Sequence, residues 1–297
     1  MTNKLVFFGT EDFSRKFLKV LKDDGYDIAC VVTKPDTPSG RGRTLASPAV
    51  KQLADELSLP VKQTLDAEHL STLDATAGVL ASYGKILPKD VLDIFPKGII
   101  NVHPSDLPKH RGPSPIEQTI LDGDPTTAVS LIKLVEDMDA GPVYAKAKLD
   151  VDPKISKSEL TERLIQTGTE LLRKTLPQIL SGELKPQPQD DKQATYTSLI
   201  HKQDGLLDWA KPAQTLVRQL RAYQGWPGSF CDIFSVRITI LSASVDTRQG
   251  KPGEHYIYDD GALGVYCSED SLKLERVRPA GKNTMDSRDF VRGYKRK

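Results

Sequence analysis

The residues best placed to do chemistry are Asn101 and His103, which are separated by a single residue at the end of an apolar run. Residues two positions apart in a β-strand point to the same side, so these side chains share one face. An Asn amide can donate to an oxyanion that develops on a carbonyl, and a His can move a proton near neutral pH. The pair therefore favours nucleophilic attack on a carbonyl carbon.

A carboxylate is the usual third member of such a group, because it orients the imidazole and stabilises its charged form. The candidates are Asp137 and Asp139 in the turn Glu136-Asp-Met-Asp-Ala-Gly141. Both aspartates also suit a turn that has no chemical role. Spacing does not choose between them, and an Asn or His alone near a strand end is more often a turn former than a catalyst.

Short apolar runs alternate with helical patterns in the first half of the sequence, which is typical of parallel α/β folds. We expect an α/β fold with an open, mostly parallel sheet. The carboxyl ends of strands in such sheets are where ligands bind, and Asn101 and His103 lie at one of these ends. The strands are predicted at 4–8, 27–33, 78–81, 98–103 and 128–134.

The second half of the sequence predicts a separate domain. Residues 181–193 contain Gly182, Pro186 and Pro188 with little apolar content, which is typical of a linker. Short strands at regular spacing follow, which favours a small β-barrel; they are predicted at 229–234, 236–243, 255–258, 264–267 and 272–277. We predict a catalytic domain at 1–182, a linker at 183–205 and a smaller C-terminal, OB-like β-barrel domain at 206–297.

Composition excludes few function classes. The 297 residues carry a formal net charge of +1 and are 38% hydrophobic, which suits one large core or two ordinary ones. Three dispersed cysteines without a CxxC pair indicate neither a disulfide framework nor a zinc site. Neither an export signal nor an apolar stretch of membrane length is recognisable. We expect a cytoplasmic monomer that uses no metal.

An ordered set of motifs surrounds the Asn–His pair. The pattern Asn-x-His-x-Ser-x-Leu-Pro begins at Asn101, and Arg-Gly and then Met-Asp-x-Gly follow downstream. Together these motifs resemble the folate-dependent formyltransferase family, whose fold is Rossmann-like. The resemblance implies that Asn101, His103 and Asp139 form the catalytic trio. It also implies a set of folate-binding residues around the two loops beside them, namely Tyr83, Gly84, Ile86, Leu87, Ser105, Asp106, Leu107 and Pro108.

Further stretches are similar to the branch of this family that formylates methionyl-tRNA. They are the opening strand and turn at 7–13, the loop at 33–43, and the segments 205–209, 221–227 and 278–282. The resemblance implies transfer of a formyl group from 10-formyltetrahydrofolate to the α-amine of methionine on initiator methionyl-tRNA, for translation initiation. It further implies that Lys34, Arg41 and Arg43 contact the tRNA. Asp106 departs from the family pattern, since an apolar residue is usual there.

Other function classes stay open. A sugar or purine-pathway formyltransferase would share the trio but not the tRNA loop, a folate-binding hydrolase would release formate, and a tRNA-binding module would leave the trio without a role. A nicotinamide enzyme is disfavoured because the turn at 9–12 lacks GxGxxG. Residues 273–297 hold nine Lys or Arg against three acids, which fits phosphate contacts as well as a solvated basic tail.

Overall fold

The computed structural model of the chain describes residues 4–39 and 44–295. The chain forms two compact units. The first comprises Met1–Pro115, Thr126–Asp150 and Thr161–Thr197, and the second comprises Ile116–Pro125, Val151–Leu160 and Ser198–Lys297.

The strands of the first unit are β1 (Lys4–Gly9), β2 (Asp27–Val32), β3 (Thr37–Ser39), β4 (Thr44–Ala46), β5 (Val61–Lys62), β6 (Ala77–Ala81), β7 (Ile99–His103), β8 (Thr126–Lys133) and β9 (Val143–Asp150). Seven of them form one sheet in the order β5-β2-β1-β6-β7-β8-β9. The pairs from β5 to β7 are parallel, and β8 and β9 are antiparallel. The predicted Rossmann-like, mostly parallel sheet is confirmed.

The helices of both units are α1 (Asp12–Asp23), α2 (Ala49–Glu56), α3 (Ala67–Ser71), α4 (Lys89–Leu92), α5 (Pro115–Asp122), α6 (Lys157–Ser181), α7 (Ala213–Ala222) and α8 (Ser287–Tyr294). Every residue of β6 and β7 is buried. Such strands consist of continuous apolar runs because both faces of a central parallel strand are covered. In the described part of the chain, no helix is both long and apolar enough to cross a bilayer.

The order of the strands reverses between β1 and β6. From β1 the chain proceeds through β2 to the edge strand β5, and it then returns to β6 on the other side of β1. Open α/β sheets bind ligands in the crevice at such a switch point. Here the Thr10 hydroxyl, just after β1, donates to the Tyr83 carbonyl, just after β6, at 2.9 Å. Strand β7, which carries Asn101 and His103, is paired to β6.

The second unit contains an antiparallel sheet, which confirms the prediction of a separate, strand-rich C-terminal domain. Its strands are β10 (Ser229–Ile233), β11 (Val236–Asp246), β12 (His255–Ile257), β13 (Leu263–Tyr266), β14 (Ser271–Pro279) and β15 (Met285–Asp286). They pair in the order β10-β11-β14-β13-β12, with β15 on β14. The apolar sides of α7 and α8 contribute Leu216 and Phe290 to the core of this sheet, where both are fully buried.

Part of the predicted linker packs on the first unit. Residues 183–197 belong to that unit, where Gln187 exchanges two backbone hydrogen bonds with Val143 of β9, at 2.7 and 2.8 Å. A sheet edge offers unpaired backbone groups, and a segment poor in apolar residues can still occupy them. The short strands β3 and β4, which lie in and just after the loop at 33–43, were likewise not predicted, and neither was strand β9.

Candidate active site

Strand β7 presents Asn101 and His103 together at its carboxyl end. Their relative exposures are 6% and 4%, so both are polar side chains held inside the protein. Buried polar groups need hydrogen-bond partners, because burial without them costs free energy. The partners of this pair come from two loops, one directly after β7 and one between β8 and β9.

The loop between β8 and β9 supplies Asp139. Its Oδ1 accepts a hydrogen bond from Nδ2 of Asn101 at 3.1 Å and lies 3.6 Å from Nδ1 of His103. Its Oδ2 accepts from the backbone N–H of Gly112 at 2.8 Å. Asp137 is exposed instead. The structure therefore brings Asp139, and not Asp137, to the pair.

The two ring nitrogens of His103 both face acceptors. Nδ1 faces the Asp139 carboxylate, and Nε2 lies 3.0 Å from the backbone carbonyl oxygen of His110. A carbonyl oxygen only accepts, so Nε2 carries a hydrogen and donates it. The separation of 3.6 Å between Nδ1 and Oδ1 is longer than a hydrogen bond, so the Asp139 carboxylate acts there as a nearby negative charge.

The Asn101 amide has donor capacity to spare for a ligand. Nδ2 carries two hydrogens, and Asp139 accepts one of them. The second can donate to an oxygen on which negative charge develops, as in an oxyanion hole. With the His103 imidazole two residues along the same strand face, the site offers an amide donor and an imidazole ring beside the same reacting carbonyl.

Two glycines in these loops lie too close to neighbouring backbone for a side chain. A Cβ on Gly141 would lie 1.8 Å from the carbonyl oxygen of Lys133, and one on Gly112 would lie 2.7 Å from that of Thr197. Gly112 also has a φ of +116°, a backbone angle that residues with a side chain rarely adopt. These contacts explain the glycines in the Arg-Gly and Met-Asp-x-Gly motifs. The Gly112 N–H and the His110 carbonyl are backbone groups, which sequence reasoning did not identify.

Four of the predicted folate residues have buried side chains. Ser105 and Leu107 are fully buried, and the Ser105 hydroxyl donates to the Lys109 carbonyl at 2.7 Å. Tyr83 and Leu87 belong to the core of the first unit, where burial raises the pKa of the Tyr83 hydroxyl. These four side chains are used for packing, so a ligand at these positions would contact the backbone.

The other four predicted folate residues reach solvent. Ile86 is 79% exposed, Gly84 is exposed, and Asp106 and Pro108 are half-buried. The Asp106 carboxylate pairs with Nζ of Lys146 at 2.9 Å and of Lys148 at 3.0 Å, both from β9. Burial acts to raise the pKa of Asp106, but the hydrogen bonds from these lysines outweigh it and lower that pKa overall.

The residues predicted to bind tRNA fall in two groups. Lys34 lies at the carboxyl end of β2, and its ammonium packs on Gly84, where an added Cβ would come within 2.3 Å of Nζ. It therefore borders the predicted folate loop. Arg41 and Arg43 lie outside the residues that the structure describes.

A hydrogen-bond network centred on the buried Arg111 supports the Asp139 loop. The Arg111 guanidinium, with its side chain 3% exposed, donates to the side-chain oxygen of Gln189. Gln189 in turn donates to backbone carbonyls of the Asp139 loop. Arg111 belongs to the Arg-Gly motif but was given no role of its own, and Gln189 was missed because it falls in the predicted linker. The Arg-Gly motif itself was the signal that the sequence offered for Arg111.

Two sequence-family profiles match the chain. One, described as formyl transferase, matches residues 3–176, and the other, described as formyl transferase, C-terminal domain, matches residues 199–295. A methionyl-tRNA formyltransferase of Myxococcus xanthus is 39% identical over 298 residues, which cover 98% of this chain and 95% of that protein.

Solved structures share the fold at low identity. An N-formyltransferase from Helicobacter canadensis, in complex with folinic acid and dTDP-3-aminofucose, has a TM-score of 0.71 at 14% identity, over 92% of this chain and 99% of that chain. A methionyl-tRNA formyltransferase from Clostridium thermocellum has a TM-score of 0.58 at 17% identity, over 91% of this chain and 98% of that chain. At these identities the similarity concerns the fold.

Proposed function

The chain belongs to the formyl transferase family, and we propose that it transfers the formyl group of 10-formyltetrahydrofolate to the α-amine of methionine on initiator methionyl-tRNA. Relatives named methionyl-tRNA formyltransferase match 98% of the chain at 36–39% identity, the second unit included. The product would serve translation initiation. The observation that carries the chemistry is the single carboxylate of Asp139, which contacts both Asn101 and His103.

These side chains suit an acyl transfer from nitrogen to nitrogen. The methionine amine bonds to the formyl carbon, the bond from that carbon to the folate nitrogen breaks, and a proton passes from the amine to that nitrogen. Asn101 donates to the oxyanion that develops on the formyl oxygen, a contribution of about 3–4 kcal/mol where a comparable donor has been removed. The His103 imidazolium, stabilised by Asp139, balances the same charge and can carry a proton.

Direct attack by the amine is favoured over a covalent acyl-enzyme. All three cysteines are buried. Burial raises the pKa of Cys231 to about 12 and that of Cys267 to about 11, and it also raises the pKa of Cys30. A thiol that stays protonated is a poor nucleophile. The trio therefore acts on two bound reactants without an intermediate attached to the protein.

The loops beside the trio fit a folate, which supplies the activated formyl group when it is bound. The exposed Ile86 and the exposed backbone at Gly84 lie after β6, at the switch point of the sheet, and offer apolar contact to a planar ring. Asp106 does not oppose an anionic co-substrate, because Lys146 and Lys148 more than neutralise its charge.

Exposed basic residues support the tRNA as the amine carrier. On β14, Arg276 and Arg278 alternate with buried residues and so face solvent, and Lys282 is also exposed. Cations in this arrangement can contact phosphates. Lys34, Arg41 and Arg43 are proposed to do the same in the first unit.

The proposal is tested by offering alternative acceptors. The purified chain would be incubated with formyl-labelled 10-formyltetrahydrofolate and, in separate reactions, initiator methionyl-tRNA, elongator methionyl-tRNA, an amino-sugar nucleotide, or buffer. We expect rapid transfer to the initiator tRNA and slower transfer to the elongator. Transfer to the sugar amine alone would assign the chain to that branch, formate release alone would indicate a hydrolase, and no reaction at all would contradict the chemistry.

A further inference from the structure

The Gln189 side chain joins the loop that carries Asp139 to a buried guanidinium. Its Nε2 donates to the carbonyl oxygens of Asp139 and Gly141, each at 2.7 Å. Its Oε1 accepts from Arg111, from Nε at 3.1 Å and from Nη2 at 2.9 Å. A guanidinium only donates and a carbonyl only accepts, so these partners fix the orientation of the amide. Both hydrogens and both lone pairs of the amide are used.

Arg111 is a fixed anchor for this contact. Nη2 also donates to Oδ1 of Asp191 at 2.6 Å, and Nη1 donates to the hydroxyl of Tyr196 at 3.2 Å. The Arg111 backbone is held as well, since its N–H donates to the Thr195 carbonyl at 2.9 Å and its carbonyl accepts from the Thr197 N–H at 2.7 Å. A side chain held at this many points has little freedom to follow a moving loop.

The Asp139 loop needs such support because its backbone is strained. Asp139 has φ +49°, in the left-handed region that disfavours residues with a Cβ. This conformation turns the carboxylate onto Asn101 and the Gly112 N–H. Strained conformations persist only where the surroundings hold them in place. Gln189 binds the carbonyls of Asp139 and Gly141, and so it fixes the peptide groups that follow both residues.

We propose that Gln189 is a positioning residue for the reaction under "Proposed function", on which this inference rests. By holding two carbonyls of the loop, it keeps the Asp139 carboxylate against Asn101 and His103. The hydrogen bonds of the Gln189 side chain go to Arg111, Asp139 and Gly141. Its effect on the reaction is therefore transmitted through Asp139.

The variant Gln189→Glu separates positioning from overall stability. A carboxylate still accepts from Arg111, and more strongly, but its second oxygen cannot donate and repels the two carbonyls. We expect kcat to fall about 10- to 100-fold, with KM for both substrates and the thermal midpoint close to wild type. The control is Gln193→Ala, an exposed residue of the same segment that bonds Asp190 at 2.8 Å and should behave as wild type.

A double variant shows whether Gln189 acts through Asp139. In an Asp139→Asn background, Gln189→Glu should cost little further in kcat, because the group that it positions is already lost. Each variant should also shift the pH at which kcat is half-maximal, and this shift should have the same direction in Gln189→Glu as in Asp139→Asn. The proposal would be overturned if the fold-loss in kcat of the double variant equalled the product of the two single losses. It would also be overturned if the pH profile of Gln189→Glu matched that of the wild type.

Hydrogen exchange tests the positioning independently of activity. The backbone amides of residues 135–141 and of Gly112 should exchange faster in Gln189→Glu than in Gln193→Ala, and equal exchange would overturn the proposal. If the wild-type chain formylates no acceptor, the proposed function fails while this comparison still decides whether Gln189 holds the loop. Faster exchange together with unchanged kcat in a chain that does transfer formyl would also overturn it.

Discussion

The Asn101 amide donates to the Asp139 carboxylate at 3.1 Å, across 38 positions of the sequence. A buried strand fixes the first residue, and a left-handed turn fixes the second. The same carboxylate oxygen lies 3.6 Å from Nδ1 of His103. One acidic side chain therefore orients the amide donor and places a negative charge beside the imidazole.

The first prediction concerns Asp139→Asn. The substitution keeps the shape of the side chain but removes the charge that stabilises the His103 imidazolium, so kcat should fall by about 10²–10⁴ with KM little changed. Single-turnover formyl transfer measures this. The matched control is Asp137→Asn, two residues away and exposed, which should retain wild-type turnover. Equal losses of kcat in both variants would contradict a specific role for the Asp139 carboxylate and would indicate a general effect of changing this loop.

The second prediction is that Gly141→Ala disturbs the same site sterically. The new Cβ would meet the Lys133 carbonyl at 1.8 Å, so the backbone must shift, at a cost of about 1–3 kcal/mol in the free energy of unfolding. Turnover should fall as Asp139 moves. Urea denaturation would measure the free energy of unfolding, and kcat would be measured beside it. The control is Gly293→Ala, at a helical position with open space around it, which should change neither quantity. A stable and fully active Gly141→Ala variant would contradict the packing described here.

Sequence patterns located most of the scaffold. Apolar runs predicted β1, β2, β6, β7 and β8 within a few residues of their observed bounds, and short alternating strands predicted β10 to β14. Period two along β7 also placed Asn101 and His103 on one face. These features are local, because they depend on residues close together in the chain.

Features that depend on tertiary contacts were not predictable in this way. Asp137 and Asp139 occupy one polar turn and differ only in which of them faces Asn101 once the turn folds. Gln189 lies in a segment with the composition of a linker, and its role depends on Arg111, 78 positions earlier. The family resemblance chose Asp139, but neither composition nor spacing distinguished Gln189 from its neighbours.

The third prediction is a pH dependence that originates at Asp106. Its pKa is lowered below the ordinary 3.8, so the ionised carboxylate stabilises the folded state above that pH. This contribution is lost as the pH falls through the lower, folded-state pKa. The free energy of unfolding of the wild type should therefore fall more steeply below about pH 4 than that of Asp106→Asn. Parallel curves in urea titrations over this range would show that Lys146 and Lys148 do not stabilise the charge.

The fourth prediction concerns the basic loop. Replacing both Arg41 and Arg43 by Ala should weaken tRNA binding. The slope of log Kd against the logarithm of the salt concentration should also fall, by up to about one unit for each phosphate contact that is lost. Folate affinity should not change, because these arginines are proposed to contact the nucleic acid and not the folate. Affinity for tRNA would be measured at several salt concentrations. An unchanged slope would indicate that these arginines are merely solvated.

The most direct test of the central claim is the single-turnover rate of formyl transfer from 10-formyltetrahydrofolate to initiator methionyl-tRNA, in the wild type, Asn101→Ala and His103→Ala. We predict that the wild type forms formylmethionyl-tRNA, and that each variant folds normally but reacts at least about 10²-fold more slowly. Circular dichroism and the thermal midpoint would establish the folding of the variants. Near-normal transfer by both folded variants would contradict the account.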